Sequence, residues 1–434
     1  MYPLSTDHYN KVVSRLGIPD VATATIRQIC MLADVLETEA GESCVHLEIG
    51  NPGLPANAIG VAAEREALEG GVAGIYPTIT GMPRFKQAAS NFIRAFLNID
   101  VPAGCIIPTI GSMQGSYASM LLLSRRDPKK DTMLFINPGF PVQPVQAKII
   151  GLKQVSFDIY DYRGDKLEQK LEEILSKGNV TGMIYSNPNN PAWTNLTERE
   201  LEIIGRQATK HDVIVLEDLA YMGMDFRTDF GHPSEPPYIP SVANYTDNFI
   251  LLISASKIFS YAGQRIGMTA MGPKVFEREY PALKDFFNIP KFGNAFVFGI
   301  LYALSSGTAH SAQMAMAAMM EAAVDGKLNF VDECRAYQHA GRRAKQIFLD
   351  NGFHIVYDHD GDRPVSDGFF FTAGYRSMTS KELQEELLRY GVATINLPST
   401  GSEQTGLRIC ISKLNSDETF ETLNQRLKAF RNDH

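Results

Sequence analysis

The stretch Ile253-Ser254-Ala255-Ser256-Lys257-Ile258-Phe259-Ser260-Tyr261-Ala262-Gly263-Gln264-Arg265-Ile266-Gly267 decides how the chain is read. It grows out of an apolar run, Phe249 to Ile253, that predicts a buried strand. Two serines, a lysine and then an arginine follow that strand. A lysine amine in such a place forms a Schiff base with an aldehyde, and its flanks supply ligands for a phosphate. Arginine pairs with a phosphate dianion through two parallel N–H···O bonds, which the point charge of lysine does not. Ser-x-Ser-Lys alone is a common surface string. Arg265 before Ile266-Gly267, behind a strand, makes the signal specific. The order suits an aldehyde cofactor that carries a phosphate.

Composition excludes several other readings. The chain has 434 residues, 44% hydrophobic and 21% charged, which is an ordinary globular balance with enough chain for a large core and two domains. A formal charge of -8 and a pI of about 5.7 argue against a nucleic-acid partner, which needs a basic face. Cys30, Cys44, Cys105, Cys334 and Cys410 are scattered, with no Cys-x-x-Cys or Cys/His cluster. Neither a disulfide framework nor a metal site is expected, and reduced thiols point to the cytoplasm. Residues 1–8 lack a basic segment followed by an apolar one, so no signal peptide is expected. The longest apolar stretch, around Ala295 to Leu304, is too short to span a bilayer, so no membrane association is expected.

Other segments carry recognisable chemistry. Thr6 is a candidate cap for a short helix, and a second helix is predicted from Ala24 to about Glu39. A strand from Cys44 to Ile49 runs into Gly50-Asn51-Pro52-Gly53, and Tyr76-Pro77-Thr78-Ile79-Thr80-Gly81 precedes a helix. Cys105 to Ile110 predicts a strand, and Gly111-Ser112-Met113 opens the helix behind it. Backbone N–H groups and the positive end of the helix dipole meet there, which makes an anion site. A strand over Thr132 to Asn137 ends in Pro138-Gly139-Phe140-Pro141. The strand Gly182 to Ser186 leads into Asn187-Pro188-Asn189-Asn190-Pro191-Ala192-Trp193-Thr194, which holds the only tryptophan. Val213 to Glu217 ends in Asp218-Leu219-Ala220-Tyr221. Asp218, buried at a strand end, needs a partner, whereas Glu217 reads as a structural or solvated neighbour. Phe226 to Asn248 is polar and proline-bearing and reads as a surface connection. Asp358-His359-Asp360-Gly361-Asp362 lacks the glutamate and spacing of a calcium loop and reads as a hairpin turn. In Leu407-Arg408-Ile409-Cys410-Ile411 an arginine alternates with apolar residues, and burying its charge calls for an anion.

Taken in order from Gly50 to Arg408, these segments resemble the class I/II pyridoxal-phosphate-dependent aminotransferases of fold type I. The resemblance implies pyridoxal 5'-phosphate as cofactor, joined to Lys257, with Lys257 also the general base and acid at the substrate Cα. It implies that Asp218 keeps the pyridine nitrogen protonated, that Asn190 and Tyr221 bond the phenolic oxygen, and that Phe140 stacks on the ring. Gly111, Ser112, Met113 (through its backbone), Ser254, Ser256 and Arg265 would surround the phosphate. Tyr76 would reach the same phosphate from the partner subunit of a homodimer. Arg408 would grip the substrate α-carboxylate, with Asn190 and the backbone of Gly50 beside it. Read without the family, Gly50 is equally a strand-to-turn exit and Tyr76 a packing residue. Ala192-Trp193 stands where the family pattern has Thr-Gly, a departure that bears on specificity.

Seven candidate strands between Cys105 and Met271, most joined by helical segments, predict an α/β large domain. Its expected form is a mostly parallel seven-stranded sheet with helices on both faces. The expected domains are 56–320 for this unit and a smaller α+β unit built from 1–55 and 321–434. The implied activity belongs to amino-acid metabolism: an amino group passes between an α-amino acid and a 2-oxo acid. A β-elimination (C–S) lyase would use the same residues, since both reactions begin by deprotonating Cα. A ligand-sensing regulatory domain of this fold is the third possibility. It would need an N-terminal DNA-binding module, for which the residues before Gly50 leave no room.

Overall fold

Seven strands of the computed structural model, which describes residues 2–434, form one sheet. Their order is Ile106–Thr109, Gly267–Met271, Phe249–Ser254, Ile214–Asp218, Val180–Ser186, Thr132–Asn137 and Lys153–Asp158. Neighbours from Phe249–Ser254 through Lys153–Asp158 are parallel. Gly267–Met271 alone runs antiparallel to both its neighbours. This is the mostly parallel α/β sheet expected from the alternation of apolar runs and helical segments.

The sheet is apolar on both faces because helices cover both. Leu134, Ile136, Met183, Val215, Leu251, Ile253 and Met268 point into one core, which they share with Pro83–Leu97, Glu198–Lys210 and His310–Val324. Their strand neighbours Met133, Phe135, Ile184, Leu216, Ile250 and Leu252 point the other way, against Gly111–Arg126. Period-two alternation of equally apolar residues explains why these strands read as unbroken hydrophobic runs.

A second, antiparallel sheet has the order Ile395–Asn396, Leu407–Cys410, Phe370–Tyr375, Phe353–Ile355. The chain start joins it. Val45–His46 pairs in parallel with Val392–Ala393, and Cys410 N donates to Leu47 O. Helices Thr6–Arg15 and Ile26–Ala40 share an apolar cluster with Leu388, Ala393 and Ile395. The hairpin His359–Asp360 with Arg363–Pro364 forms as expected. Its Asp360 is fully buried between Arg163, at 3.1 Å, and Arg227, at 2.6 Å.

Several local expectations are corrected. Ser5, not Thr6, caps the first helix, its hydroxyl accepting from His8 N. The strand expected over Cys44 to Ile49 narrows to Val45–His46. The segment 226–248 is not a surface connection, since Phe226, Phe230, Ile239 and Val242 are buried. Ser234 and Ile239 also donate to the carbonyls of Ala95 and Phe96. Prolines and polar residues between those anchors hid the apolar spacing. The stretch from Pro273 to Phe287 forms two helices, Pro273–Glu277 and Pro281–Phe287, because Pro281 suits a first turn and not a helix interior.

Glu217 is structural rather than solvated. It is fully buried and accepts from Ser241 Oγ at 2.5 Å, Tyr185 Oη at 3.1 Å and Val242 N at 3.2 Å. Burial pushes its pKa up to about 7, from an ordinary 4.5. Between those values the folded protein holds a proton that the unfolded chain has released. Stability therefore falls as pH rises through this window, by at most about 3 kcal/mol. Glu217→Gln is expected to flatten that part of the slope in denaturant unfolding at about pH 5 and about pH 7. Equal slopes for the variant and the parent would show that Glu217 does not titrate there.

Candidate active site

Three neighbouring parallel strands end together, with Ser186 opposite Asp218 and Asp218 opposite Leu252. The turns beyond their carboxyl ends build the site, as is usual for open α/β sheets. Beyond Phe249–Ser254, Ser254 caps the short helix Ala255–Ile258. Its hydroxyl accepts from Ser256 N at 3.2 Å and donates to Ser256 Oγ at 2.9 Å. The turn sends Lys257 inward, where its amine donates to the carbonyl of Gly50 and lies 5.5 Å from the ring centre of Phe369. Burial of the amine lowers its pKa to about 8, and the nearby cations Arg265 and Arg408 act in the same direction.

Asp218 lies at the end of the adjacent strand, with Oδ1 accepting from Ala220 N at 3.2 Å and Oδ2 from Gln143 Nε2 at 2.8 Å. Burial pushes its carboxyl up to about 6. Gln143 carries no motif and is missed by sequence alone. The only signal for it is a polar residue on the inner face of Val142–Ile150, just after the Phe140 turn. Phe140 itself is half-buried in that turn.

Tyr221 follows one turn on. Its ring meets Trp193 at 5.6 Å, Phe369 at 5.3 Å and Phe370 at 5.4 Å between centres. A Cβ at Gly50 would stand 3.7 Å from Phe370, 3.8 Å from Phe369 and 3.9 Å from the Tyr221 hydroxyl, so Gly50 passes directly over this group. Trp193 is wholly buried with φ +62°. It lies so close to Gly368 that a Cβ there would be 2.2 Å from the indole.

Arg408 occupies Leu407–Cys410 and is almost wholly buried. Nη2 donates to the carbonyl of Glu48 and Nη1 to Asn190 Oδ1 at 3.5 Å, while Nε has no partner. Its guanidinium carbon lies 5.2 Å from the centre of the Phe370 ring. Asn190 is held in turn by its own N–H, which donates to Ser186 Oγ at 3.1 Å. The Arg408 charge is thus carried by a neutral carbonyl and a neutral amide.

At the other end, Gly111–Arg126 begins without a side-chain cap. Gly111 has φ +65°, and a Cβ there would stand 2.8 Å from Nη2 of Arg265. A Cβ at Gly267 would be 3.2 Å from both Gly111 C and Ser112 N. Two glycines therefore let a helix start, a strand start and a guanidinium converge. Ser112 and the exposed Met113 continue this first turn, whose amides face outward from the helix end. Tyr76 does not join the cluster; its side chain is 91% exposed.

The Lys257 amine thus shares its surroundings with two guanidinium groups, Arg265 and Arg408, both close enough to lower its pKa. The family model for class I and II aminotransferases matches residues 42–427. A probable aspartate aminotransferase of Methanocaldococcus jannaschii is 23% identical over 64% of this chain and 68% of its own length. An LL-diaminopimelate aminotransferase of Dehalococcoides mccartyi is 25% identical over 84% of this chain and 85% of its own. Two further relatives are aligned over only 59% and 58% of their own lengths. A solved Thermus thermophilus aspartate aminotransferase with maleate superposes with a TM-score of 0.75, covering 99% of this chain and 100% of that one at 20% identity. The shared fold and a family match over nearly the whole chain lead to one conclusion: the protein is a member of the class I and II aminotransferases.

Proposed function

We propose that the chain uses pyridoxal phosphate to move an amino group between an α-amino acid and a 2-oxo acid. Its family is generally dependent on that cofactor. The observation that carries the reading is the inward-turned Lys257 amine, with its pKa lowered to about 8 by burial and by the nearby cations Arg265 and Arg408. Such an amine is partly neutral near neutral pH and available as a nucleophile and base.

The residues fit the cofactor. At the start of helix Gly111–Arg126, glycines let the Arg265 guanidinium approach the first-turn amides, and Gly111, Ser112, Met113, Ser254, Ser256 and Arg265 would hold the phosphate there. Asp218, costly to bury ionised, gains the cation it lacks when a protonated pyridine nitrogen stands against it. Phe140 would lie against the ring, Asn190 and Tyr221 against its phenolic oxygen, and Tyr76 of a partner subunit against the phosphate. When bound, pyridoxal phosphate supplies an aldehyde for the substrate amine and a ring that accepts the electron pair left at Cα. Arg408 holds the substrate α-carboxylate through two parallel N–H bonds, and Asn190 fixes the guanidinium. With the carboxylate held and Gly50 passing close by, the Cα–H bond is aimed at the Lys257 amine, which removes and returns that proton. Trp193, Phe369 and Phe370 keep water out.

The same reading assigns the enzyme to a homodimer in the cytoplasm, with the larger unit over 56–320 and the smaller over 1–55 and 321–434. No helix among the described residues is long and apolar enough to cross a membrane.

Borohydride reduction of the cofactor-loaded protein should leave a phosphopyridoxyl mass on Lys257 and on no other lysine. Lys257→Ala should lose it, and turnover should fall at least about 10²–10⁴-fold. A label on another lysine removes the assignment. The expected product is a 2-oxo acid with an aminated cofactor; pyruvate, ammonia and a thiol from a cysteine conjugate would mark elimination instead.

Arg408→Ala should weaken amino-acid binding roughly ten- to a few-hundred-fold, from about 1.5–3 kcal/mol per charged hydrogen bond. Arg408→Lys should recover only part, because the fork is gone. A simple amine lacking the carboxylate should be affected little. Equal losses for both substrates would make Arg408 structural.

Mixing Tyr76→Ala chains with Lys257→Ala chains should restore part of the activity, because one hybrid site then has both residues. No recovery, with subunit exchange demonstrated, would remove the shared site.

A further inference from the structure

Two buried polar atoms of adjoining residues have no nitrogen or oxygen partner, Oε2 of Glu48 and Nε of Arg408; the Cys30 thiol lies against the Glu48 carboxylate, whose charge acts on Arg408. Glu48 and Arg408 already touch, since Arg408 Nη2 donates to the Glu48 carbonyl. Glu48 has 0% exposure. Strand alternation turns His46 and Glu48 to one side and Leu47 to the other, into the core. On their side they face helix Ile26–Ala40, which presents Cys30, Asp34 and Glu37 along one stripe. His46 Nδ1 is 2.8 Å from Glu48 Oε1, while its Nε2 is 3.5 Å from Glu37 and 4.0 Å from Asp34. Side-chain exposure falls from 72% at Asp34 and 39% at Glu37 to 23% at His46 and 0% at Glu48. A file of ionisable groups therefore leads from solvent to Arg408.

We propose that Glu48 is a positioning residue for substrate recognition: its carboxylate competes with the substrate α-carboxylate for the field of Arg408, and a charged His46 relieves the competition. The inference rests on the reading that Arg408 holds that carboxylate. With His46 charged, four groups alternate in sign: imidazolium, Glu48, guanidinium, substrate. With His46 neutral, the Glu48 charge is left facing Arg408 and repels a second anion across a poorly screened interior.

Of the remaining neighbours, Arg27 on the same helix acts on Cys30 but is exposed, so solvent screens its charge. Burial raises the pKa values of the Cys30, Cys44 and Cys410 thiols and of the Tyr221 hydroxyl, which keeps all four neutral. Arg426, from the C-terminal helix, pairs with Glu42 at 2.9 Å. The Lys257 amine donates to the carbonyl of Gly50 and makes no contact with Glu48. The hydrogen bond to Glu48 raises the pKa of His46 above its ordinary value, against the opposing effect of burial. The binding-competent charge state is thus complete below the His46 pKa and is lost as pH rises through it.

The test uses the cofactor-loaded protein and propanoate, a carboxylate without an amine, with propanamide as the uncharged control. Affinity is measured by calorimetry from about pH 5.5 to about pH 9, a range that spans histidine titration. For wild type, Kd should rise about five-fold or more across the series beyond the rise seen in Glu48→Gln. Glu48→Gln should show only the drift common to all three proteins, and His46→Gln should lie above that drift at every pH by the margin that wild type reaches at high pH. Titration of Lys257 and the cofactor is common to all three proteins and cancels in the comparison. By reciprocity, saturating propanoate should raise the His46 pKa read from its imidazole NMR signals, and propanamide should not. A purely structural Glu48 would not produce opposite shifts in the two variants or a ligand-dependent histidine pKa. His46 lies at the edge of the interior, so its variant and the NMR titration serve even if Glu48→Gln does not fold. One shared pH profile, or a His46 pKa indifferent to propanoate, overturns the proposal and leaves the role of Arg408 standing. Propanoate affinity unchanged by Arg408→Ala overturns the role of Arg408, and this proposal with it.

Discussion

A guanidinium buried against a carbonyl and an amide, with no carboxylate in contact, is the constraint on which the site depends. Removing such a charge from water costs several kcal/mol unless its surroundings compensate. The compensation at Arg408 is spread over distant parts of the chain. The Glu48 carbonyl comes from the N-terminal segment, Asn190 from a turn beyond the large sheet, and the Phe370 face from the neighbouring strand. Arg408 therefore works as a clasp. It draws three stretches distant in sequence to one point and still leaves its Nε donor without a partner.

Around that clasp the structure is apolar and aromatic. Trp193, Tyr221, Phe369 and Phe370 pack edge to face, and Gly50 and Gly368 are small where those rings need room. Ala192-Trp193 thus has a physical role: the indole occupies volume between the turn and the second sheet. The cleft gains a rigid wall from it.

Most of the sheet was legible because both its faces are covered, so each strand left a continuous apolar run bounded by glycine, proline or asparagine. Lys257, Asp218 and Arg408 were legible for the opposite reason: charges directly behind or within such runs stand out. Gln143 and Glu48 were not. Each is an ordinary polar residue whose importance comes from a partner distant in sequence, and no local pattern encodes that. The burial of residues 226–248 was hidden because scattered anchors, not a periodic stripe, fix the segment. Tyr76 was named from the family pattern, yet one chain leaves its ring in solvent.

The reversed strand Gly267–Met271 has a consequence for how such a site could be built or altered. Because it runs against its neighbours, it begins at the edge where they end, so a single short connection, residues 255–266, carries both Lys257 and Arg265. A parallel strand in that position would start at the opposite edge, about 16 Å away for five residues at roughly 3.3 Å each. Amine and guanidinium would then come from different loops and drift independently. Joined as they are, the two groups travel as one rigid piece. Lengthening this connection would separate amine from guanidinium without touching either residue, whereas an engineer who wished to transplant the pair could move the strand, the connection and the reversed strand as a unit.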